Sequence, residues 1–225
     1  MKRTLVISDI HGELELFEEL LQKAGYDAAE DQLILLGDYV DRGPDSKGVM
    51  ERVVDLKKEG AIVLSGNHDA MMLAAANGEP AALERWARIG AIPTLQSYDP
   101  SIKDAELPTS AAFLEHVAFI KEMEFFHETE DAIFVHAGVQ PGTPVQETDP
   151  YTLIWIREEF YEVYEGEKAV VFGHTPAFLL RGEEDRNDIY FGDNNIIGID
   201  GGAAYGGQLN CLELPSRKSY FVKKR

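Results

Sequence analysis

Five short apolar runs punctuate the chain: TLVI at 4 to 7, LILL at 33 to 36, AIVL at 61 to 64, AIFV at 132 to 135 and AVVF at 169 to 172. None alternates apolar with polar positions. Such runs predict strands buried on both faces, in a sheet covered by helices. Between the first two, Leu14, Phe17, Leu20, Leu21 and Ala24 recur on one helical stripe, with acids in the first turn and Gly25 as the stop. A second helix is predicted over 45 to 59, where Val49, Val53 and Leu56 recur at spacings of four and three. The fold class read from this pattern is α/β.

The pattern changes from 77 to 128. EPAALERWARIG predicts a helix with Pro80 near its start, a polar loop follows, and SAAFLEHVAFIKEM predicts a helix with Phe113, Val117 and Ile120 on one face. We read this stretch as a helical insertion in the α/β frame. After 186, NIIGID, GQLNCLEL and KSYFVKK are separated by Gly- or Pro-containing turns and predict closing antiparallel strands. With 225 residues, no internal repeat and no linker-like tract, the chain reads as one domain over 1 to 225.

Composition narrows the partners. Forty acidic against 21 basic residues give a formal charge of −19, which repels nucleic acid and anionic membrane, and the short KKR near the C-terminus is the only basic cluster. A solvated acidic surface is the plain reading of that charge. The opening MKRTLVISD has too few consecutive apolar residues for a signal peptide and reads as a first strand. No apolar run reaches the roughly 18 residues that span a bilayer. One cysteine, Cys211, leaves no partner for an internal disulfide and reads as a core residue. A cytoplasmic protein is expected.

Each apolar run is followed by ligand-type side chains and a glycine: SDIHG, GDYVDRG, SGNHD, HAG and GHT. In open α/β sheets the loops after the carboxyl ends of the strands form the ligand crevice, so these five loops can converge on one point. Four of the six histidines, His11, His68, His136 and His174, fall in them. Singly, each residue has an ordinary reading: Asp9 as a helix cap, Asn67 or Asp69 as the cap of AMMLAAA, His136 or His174 as a core histidine. Their joint occurrence favours a metal site. The donors are Asp9, Asp38, Asp41, the four imidazoles and Asn67, with no thiolate, which suits manganese, iron or zinc. They exceed the needs of one ion; two ions about 3.5 to 4 Å apart are the usual machinery for displacement at phosphorus.

In this order, the five motifs resemble the signature of the phosphoprotein phosphatase family of calcineurin-like metallophosphoesterases, most closely its small bacterial and phage serine/threonine phosphatases. LIWIREEF at 153 to 160 and IGIDGGAAYGGQL at 197 to 209 extend the resemblance. It implies two packed mixed β-sheets flanked by helices, an α/β/β/α sandwich. It also implies two divalent metal ions, most often manganese: Asp9 and His11 on the first, Asn67, His136 and His174 on the second, and Asp38 bridging. His68 would be the proton donor and Asp41 its orienter, with Arg42 and Arg157 on the phosphate oxygens. Tyr205 resembles an aromatic at the site mouth, though a turn tyrosine reads equally well. His116 and His127 read as structural or surface residues.

The implied chemistry is coherent. Two cations make hydroxide available near neutral pH for in-line attack on phosphorus, and guanidiniums match the charge on the equatorial oxygens. A histidinium paired with a carboxylate protonates the leaving alkoxide. Asp9 as a covalent nucleophile would leave the loop histidines unexplained.

The implied activity is phosphomonoester hydrolysis on a phosphoprotein or phosphopeptide. The acid of GNHD, Asp69, is shorter than the glutamate common in protein phosphatases, a change expected to shift contacts around His68, and it resembles the aspartate that symmetrical diadenosine tetraphosphate hydrolases tend to carry. Those hydrolases typically carry alanine at the place of Asp41, which favours the phosphatase branch. Hydrolysis of dinucleoside polyphosphates is the alternative and calls for a nucleoside pocket, for which Trp86, Tyr98 and Tyr205 are the aromatic candidates. A metal- or phospho-binding module without turnover is the third reading, disfavoured because His68 and Asp41 are both present.

Overall fold

The computed structural model describes residues 2–225. In chain order the elements are β1 (Arg3–Ile7), α1 (Leu14–Ala24), β2 (Asp31–Leu35), α2 (Ser46–Lys58), β3 (Ile62–Val63), α3 (Asn67–Ala76), α4 (Ala82–Arg88), α5 (Ile92–Tyr98) and α6 (Ala111–Lys121). Then come β4 (Phe126–Glu128), β5 (Ala132–Val135), α7 (Pro150–Trp155), α8 (Glu158–Tyr161), β6 (Ala169–Phe172), α9 (Ala177–Arg181), β7 (Tyr190–Phe191), β8 (Ile196–Gly198), β9 (Gln208–Leu214) and β10 (Lys218–Lys223).

The strands form two sheets, ordered β10-β9-β1-β2-β3 and β4-β5-β6-β8-β7. In the first, β1-β2-β3 are parallel and β9 and β10 extend antiparallel from the β1 side; in the second, β5-β6-β8 are parallel with antiparallel β4 and β7 at the two flanks. This is the expected pair of mixed sheets flanked by helices. The tail departs from expectation in one strand. β9 and β10 form the antiparallel hairpin, whereas β8, from NIIGID, lies parallel to β6 and antiparallel only to β7. A local pattern carries no information about the direction of a partner.

Why the runs lack alternation is visible in the packing. Val6, Ile34, Leu36, Phe134, Val171, Ile197 and Leu212 fill the layer between the sheets. Their neighbours Leu5, Ile7, Leu33 and Leu35 pack outward against Phe17, Leu20, Val49 and Val53 of α1 and α2. On the other side Ile133, Val135, Val170 and Phe172 meet Leu153 and Phe160. Successive side chains of a strand point to opposite faces, and here both faces are covered.

α1 ends as read, with Gly25 in the left-handed conformation that glycine adopts without steric cost. In the 77–128 stretch the first helix is shorter than the sequence pattern, the expected polar loop contains α5, and residues 126–128 are already β4. α4, α5 and α6 pack on α2 and α3. Phe113 and Ile120 are buried, and His116 is held by the Tyr98 hydroxyl at 2.6 Å, so it is a core residue. Cys211 is buried in the same core. Among the described residues no helix is long and apolar enough to cross a membrane.

Candidate active site

The parallel centres of both sheets end at the same rim. β1 leads into Asp9 and His11, β2 into Asp38, Asp41 and Arg42, β3 into Asn67 and His68, β5 into His136 and β6 into His174. A cleft of about 690 Å³ opens there, lined by Asp9, Asp38, Arg42, Asn67, His68, Arg157 and His174 among others. The backbone is strained at this rim. Asp9, His11, Asp38, Asp41, Arg42 and His174 have φ of 55, 47, 57, 77, 69 and 62°, the left-handed region that non-glycine residues avoid. Each such conformation costs about 1 to 3 kcal/mol and persists where surrounding structure fixes it. Two glycines permit the crowding: a Cβ on Gly66 would overlap the Asp38 carboxylate, and one on Gly173 would overlap Ser8 and Asp9.

The imidazoles are oriented from behind. His11 donates Nδ1–H to the Val40 carbonyl and His136 donates Nδ1–H to the Leu36 carbonyl, both at 2.9 Å. A carbonyl only accepts, so these bonds fix the tautomer. Burial holds both rings below the usual histidine range, hence neutral, with Nε2 a bare lone pair. Nε2 of His136 then faces Asn67 Oδ1 at 2.9 Å and Asp38 Oδ1 at 3.5 Å. Two acceptors, the ring nitrogen and the amide oxygen, thus face each other beside a carboxyl oxygen. Nε2 of His11 faces Asp38 Oδ2 at 3.6 Å and Asp9 Oδ1 at 3.9 Å. Nε2 of His174 is buried and, among the described residues, has no hydrogen-bond partner. Burial, followed by His136 and Arg157, pushes that imidazole far down.

These atoms fit divalent cations. Asp38 offers one oxygen toward His11 and the other toward His136, so its carboxylate is common to two groups: His11 with Asp38 and His68, and Asp38 with His136 and His174. Oxygen and neutral imidazole donors without thiolate match manganese, iron or zinc. Burial first, then Asp9, pushes the Asp38 acid well above its usual range, as expected for carboxylates crowded together.

His68 is held differently from the other three. Its Nδ1–H donates to Asp41 Oδ2 at 2.6 Å, and that oxygen also accepts Trp86 Nε1–H at 2.7 Å. Asp41 Oδ1 accepts the Thr94 hydroxyl at 2.8 Å. Burial raises the Asp41 acid to about 7 against those two hydrogen bonds. Burial and the Arg42 charge hold His68 below its usual range. Its Nε2 faces the cleft, where Arg42 Nη2 donates to it at 2.9 Å; Nη1 donates to His11 Nε2 at 2.7 Å. Arg42 is further fixed by its amide, which donates to the Gly90 carbonyl, and by the Tyr205 ring 5.0 Å from its guanidinium carbon. Arg157 donates to the Thr175 hydroxyl at 3.0 Å and the His174 carbonyl at 3.3 Å, and it too lines the cleft.

Several expectations need correction. Trp86 and Tyr98 are buried and cannot stack on a substrate; Trp86 instead braces Asp41. Tyr205 is 62% exposed and lines the cleft. Asp69 does not touch His68: it accepts the backbone amides of Asp38, Tyr39 and Gly66 at 2.8 to 3.1 Å, fastening the β2 loop to the start of α3. Asn67 lies inside α3, with Gly66 at the cap position. Sequence reading missed Asp200, a buried acid two residues past β8 that lines the same cleft. It follows an apolar run as the other site residues do, so the signal was present in NIIGID. Trp86 and Thr94 carried no such signal, because they come from the inserted helices. Trp155, Tyr161 and Phe178, which form an apolar wall, were likewise unmarked.

Residues 2–205 match the family model for calcineurin-like phosphoesterases. The chain belongs to this family. It is 27% identical to the asymmetrical bis(5'-nucleosyl)-tetraphosphatase of Oceanobacillus iheyensis, over 98% of this chain and 92% of that protein. It is 28% identical to serine/threonine-protein phosphatase 1 of Salmonella typhimurium, over 93% and 90%. A protein serine/threonine phosphatase structure from Saccharomyces cerevisiae superposes with a TM-score of 0.67 at 11% identity, covering all of this chain and 80% of that one, a likeness of fold. The family and fold expected from the five motifs are borne out, and the enzyme is a metallophosphoesterase.

Proposed function

We propose that this metallophosphoesterase hydrolyses phosphomonoesters in the manner of a serine/threonine protein phosphatase, with His68 as proton donor. The observation that carries the reading is the His68–Asp41 pair: one ring nitrogen fixed on a braced carboxylate, the other aimed into the cleft. A phosphoserine or phosphothreonine leaves as a basic alkoxide and needs a proton in the transition state. His68 Nε2 accepts from Arg42, so it can deliver one only after Arg42 has turned to another acceptor and Nε2 has itself taken up a proton. A phosphate oxygen is a stronger acceptor than an imidazole, so substrate itself would draw Arg42 away.

Asp9 and His11 would hold one divalent cation, Asn67, His136 and His174 a second, and Asp38 both, with manganese the first candidate. When bound, such cations supply Lewis acidity at phosphorus and lower the pKa of a nearby water. Arg42 and Arg157 both line the cleft and would hold the phosphoryl oxygens, whose charge grows in the transition state. The relative in Salmonella supports a phosphoprotein substrate.

A second reading, hydrolysis of dinucleoside polyphosphates at the same centre, has its own support. Trp155, Tyr161, Phe178 and Tyr205 give the cleft an aromatic lining suited to a base, and a full-length relative is named for that activity. The deciding experiment compares product release from a phosphothreonine peptide and from diadenosine tetraphosphate at matched concentrations, with manganese and then with EDTA. Faster manganese-dependent phosphate release from the peptide supports the phosphatase. Preferential cleavage of the dinucleotide refutes that substrate and retains the centre; no metal-dependent turnover of either refutes both.

A further inference from the structure

Asp200 has no role in the set of residues described so far. It stands two residues past β8, which is parallel to β6, so the same rim that receives His174 from β6 receives Asp200 from its neighbour. Two backbone bonds at 2.8 Å hold it beside the His174 loop, from the Ile199 amide to the Phe172 carbonyl and from the Ala177 amide to the Asp200 carbonyl. The side chain lines the cleft with Asp9 and Asp38, yet the residue is only 5% exposed. Its Oδ1 accepts the Gly202 amide at 2.8 Å. Among the described residues no donor reaches Oδ2. Only one amide thus compensates a carboxyl group largely withdrawn from water, which is costly unless a positive charge faces it.

The charge count of the cleft points the same way. Asp9, Asp38 and Asp200 bring three carboxyl groups to the cleft wall, against the guanidiniums of Arg42 and Arg157. Arg157 already donates to Thr175 and the His174 carbonyl, and Arg42 to the two imidazoles. Neither donates to Asp200. Together with the buried, unpartnered His174 Nε2, this sparsely compensated carboxyl group marks a place for a cation.

We propose that Asp200 is a cation-holding carboxylate, adding to Asp9, His11 and Asp38 the further oxygen donor that a hard divalent ion favours. The inference rests on the reading of the cleft as a metal centre and extends its residues by one. Asp200 is thereby a positioning residue for the reaction, acting through the ion rather than on substrate.

The test is calorimetric titration of manganese into the chelator-stripped full chain, alongside thermal melts of the metal-free proteins. Wild type is compared with Asp200→Asn, Asp200→Glu and, as a control on a ligand of the proposed centre, Asp9→Asn. Asp200→Asn keeps the oxygen that accepts from Gly202, so it should fold. Its expected signature is double: one of two manganese binding events weakens by about 10- to 100-fold, and the metal-free melting temperature stays level or rises, because one of three crowded acids is gone. Asp200→Glu should recover part of the affinity. Unchanged manganese affinity in Asp200→Asn, with Asp9→Asn impaired, overturns this inference and leaves the metal centre intact. A lower metal-free melting temperature with weakened binding overturns it also, by making Asp200 structural. No manganese uptake by wild type overturns the metal centre itself.

Discussion

Replacing Trp86 by Phe tests whether the inserted helices take part in the chemistry. Trp86 is fully buried on α4, and its one polar atom donates to the Asp41 oxygen that also receives His68. Phe keeps the ring in the core and deletes that donor. A hydrogen bond to a charged group contributes about 1.5 to 3 kcal/mol, so at a pH above about 7, where Asp41 is ionised, stability should fall by about that much. For a chain of 225 residues this corresponds to a drop of about 3 to 12 °C in Tm. The catalytic effect follows from what remains: Thr94 still holds Asp41, and His68 keeps its partner. The loss of a general acid costs about 10² to 10⁴-fold, so loosening its orienter should cost about tenfold in kcat. Leaving groups separate this from general damage. A phosphothreonine peptide, whose alkoxide needs a proton, should slow by about that factor, while p-nitrophenyl phosphate, whose phenolate leaves unaided, should be almost unaffected. Equal slowing of both substrates, or of neither, would refute the role assigned to the Trp86–Asp41–His68 chain.

His68→Asn should lower turnover of alkyl phosphates by about 10² to 10⁴-fold with metal content unchanged by elemental analysis; loss of an ion would make His68 a ligand, as its grouping with His11 and Asp38 allows. Arg157→Ala removes a charged donor from the cleft wall and should reduce kcat/KM by about 10- to 100-fold and weaken inhibition by inorganic phosphate, whereas unchanged values would take Arg157 out of the site. Away from the cleft, Arg3 donates to both oxygens of Asp31, and this hydrogen bonding holds the Asp31 acid below its ordinary value of 3.8. Its folded value lies below the unfolded one, so the stability it contributes is complete above pH 3.8 and is lost as pH falls through the folded value. Arg3→Met should therefore lower Tm at pH 7, and the deficit should shrink in melts taken progressively below pH 3.8.

Both the layered fold and the residues gathered at its rim were legible locally, because each rests on short-range rules. Runs such as TLVI and AVVF must bury both faces, which requires a covered sheet, and a ligand-type residue placed just after a strand is carried to the sheet's edge whatever the strand's neighbours are. Hence Asp9, His11, Asp38, Asn67, His68, His136 and His174 could be read in order, and Asp200 could have been. What only the tertiary structure decided is everything set by pairing between distant segments. The direction of β8 depends on β6, more than 20 residues earlier. The burial of Trp86 and Tyr98 depends on how α4 and α5 lie against α2 and α3. Trp86 and Thr94 reach Asp41 across 45 and 53 positions of chain, and Asp69 ties two loops rather than serving its own helix alone. Hydrogen-bond partners of this kind are chosen by packing geometry, since a donor's chemical type limits what it can bind but leaves open which buried acceptor it will meet.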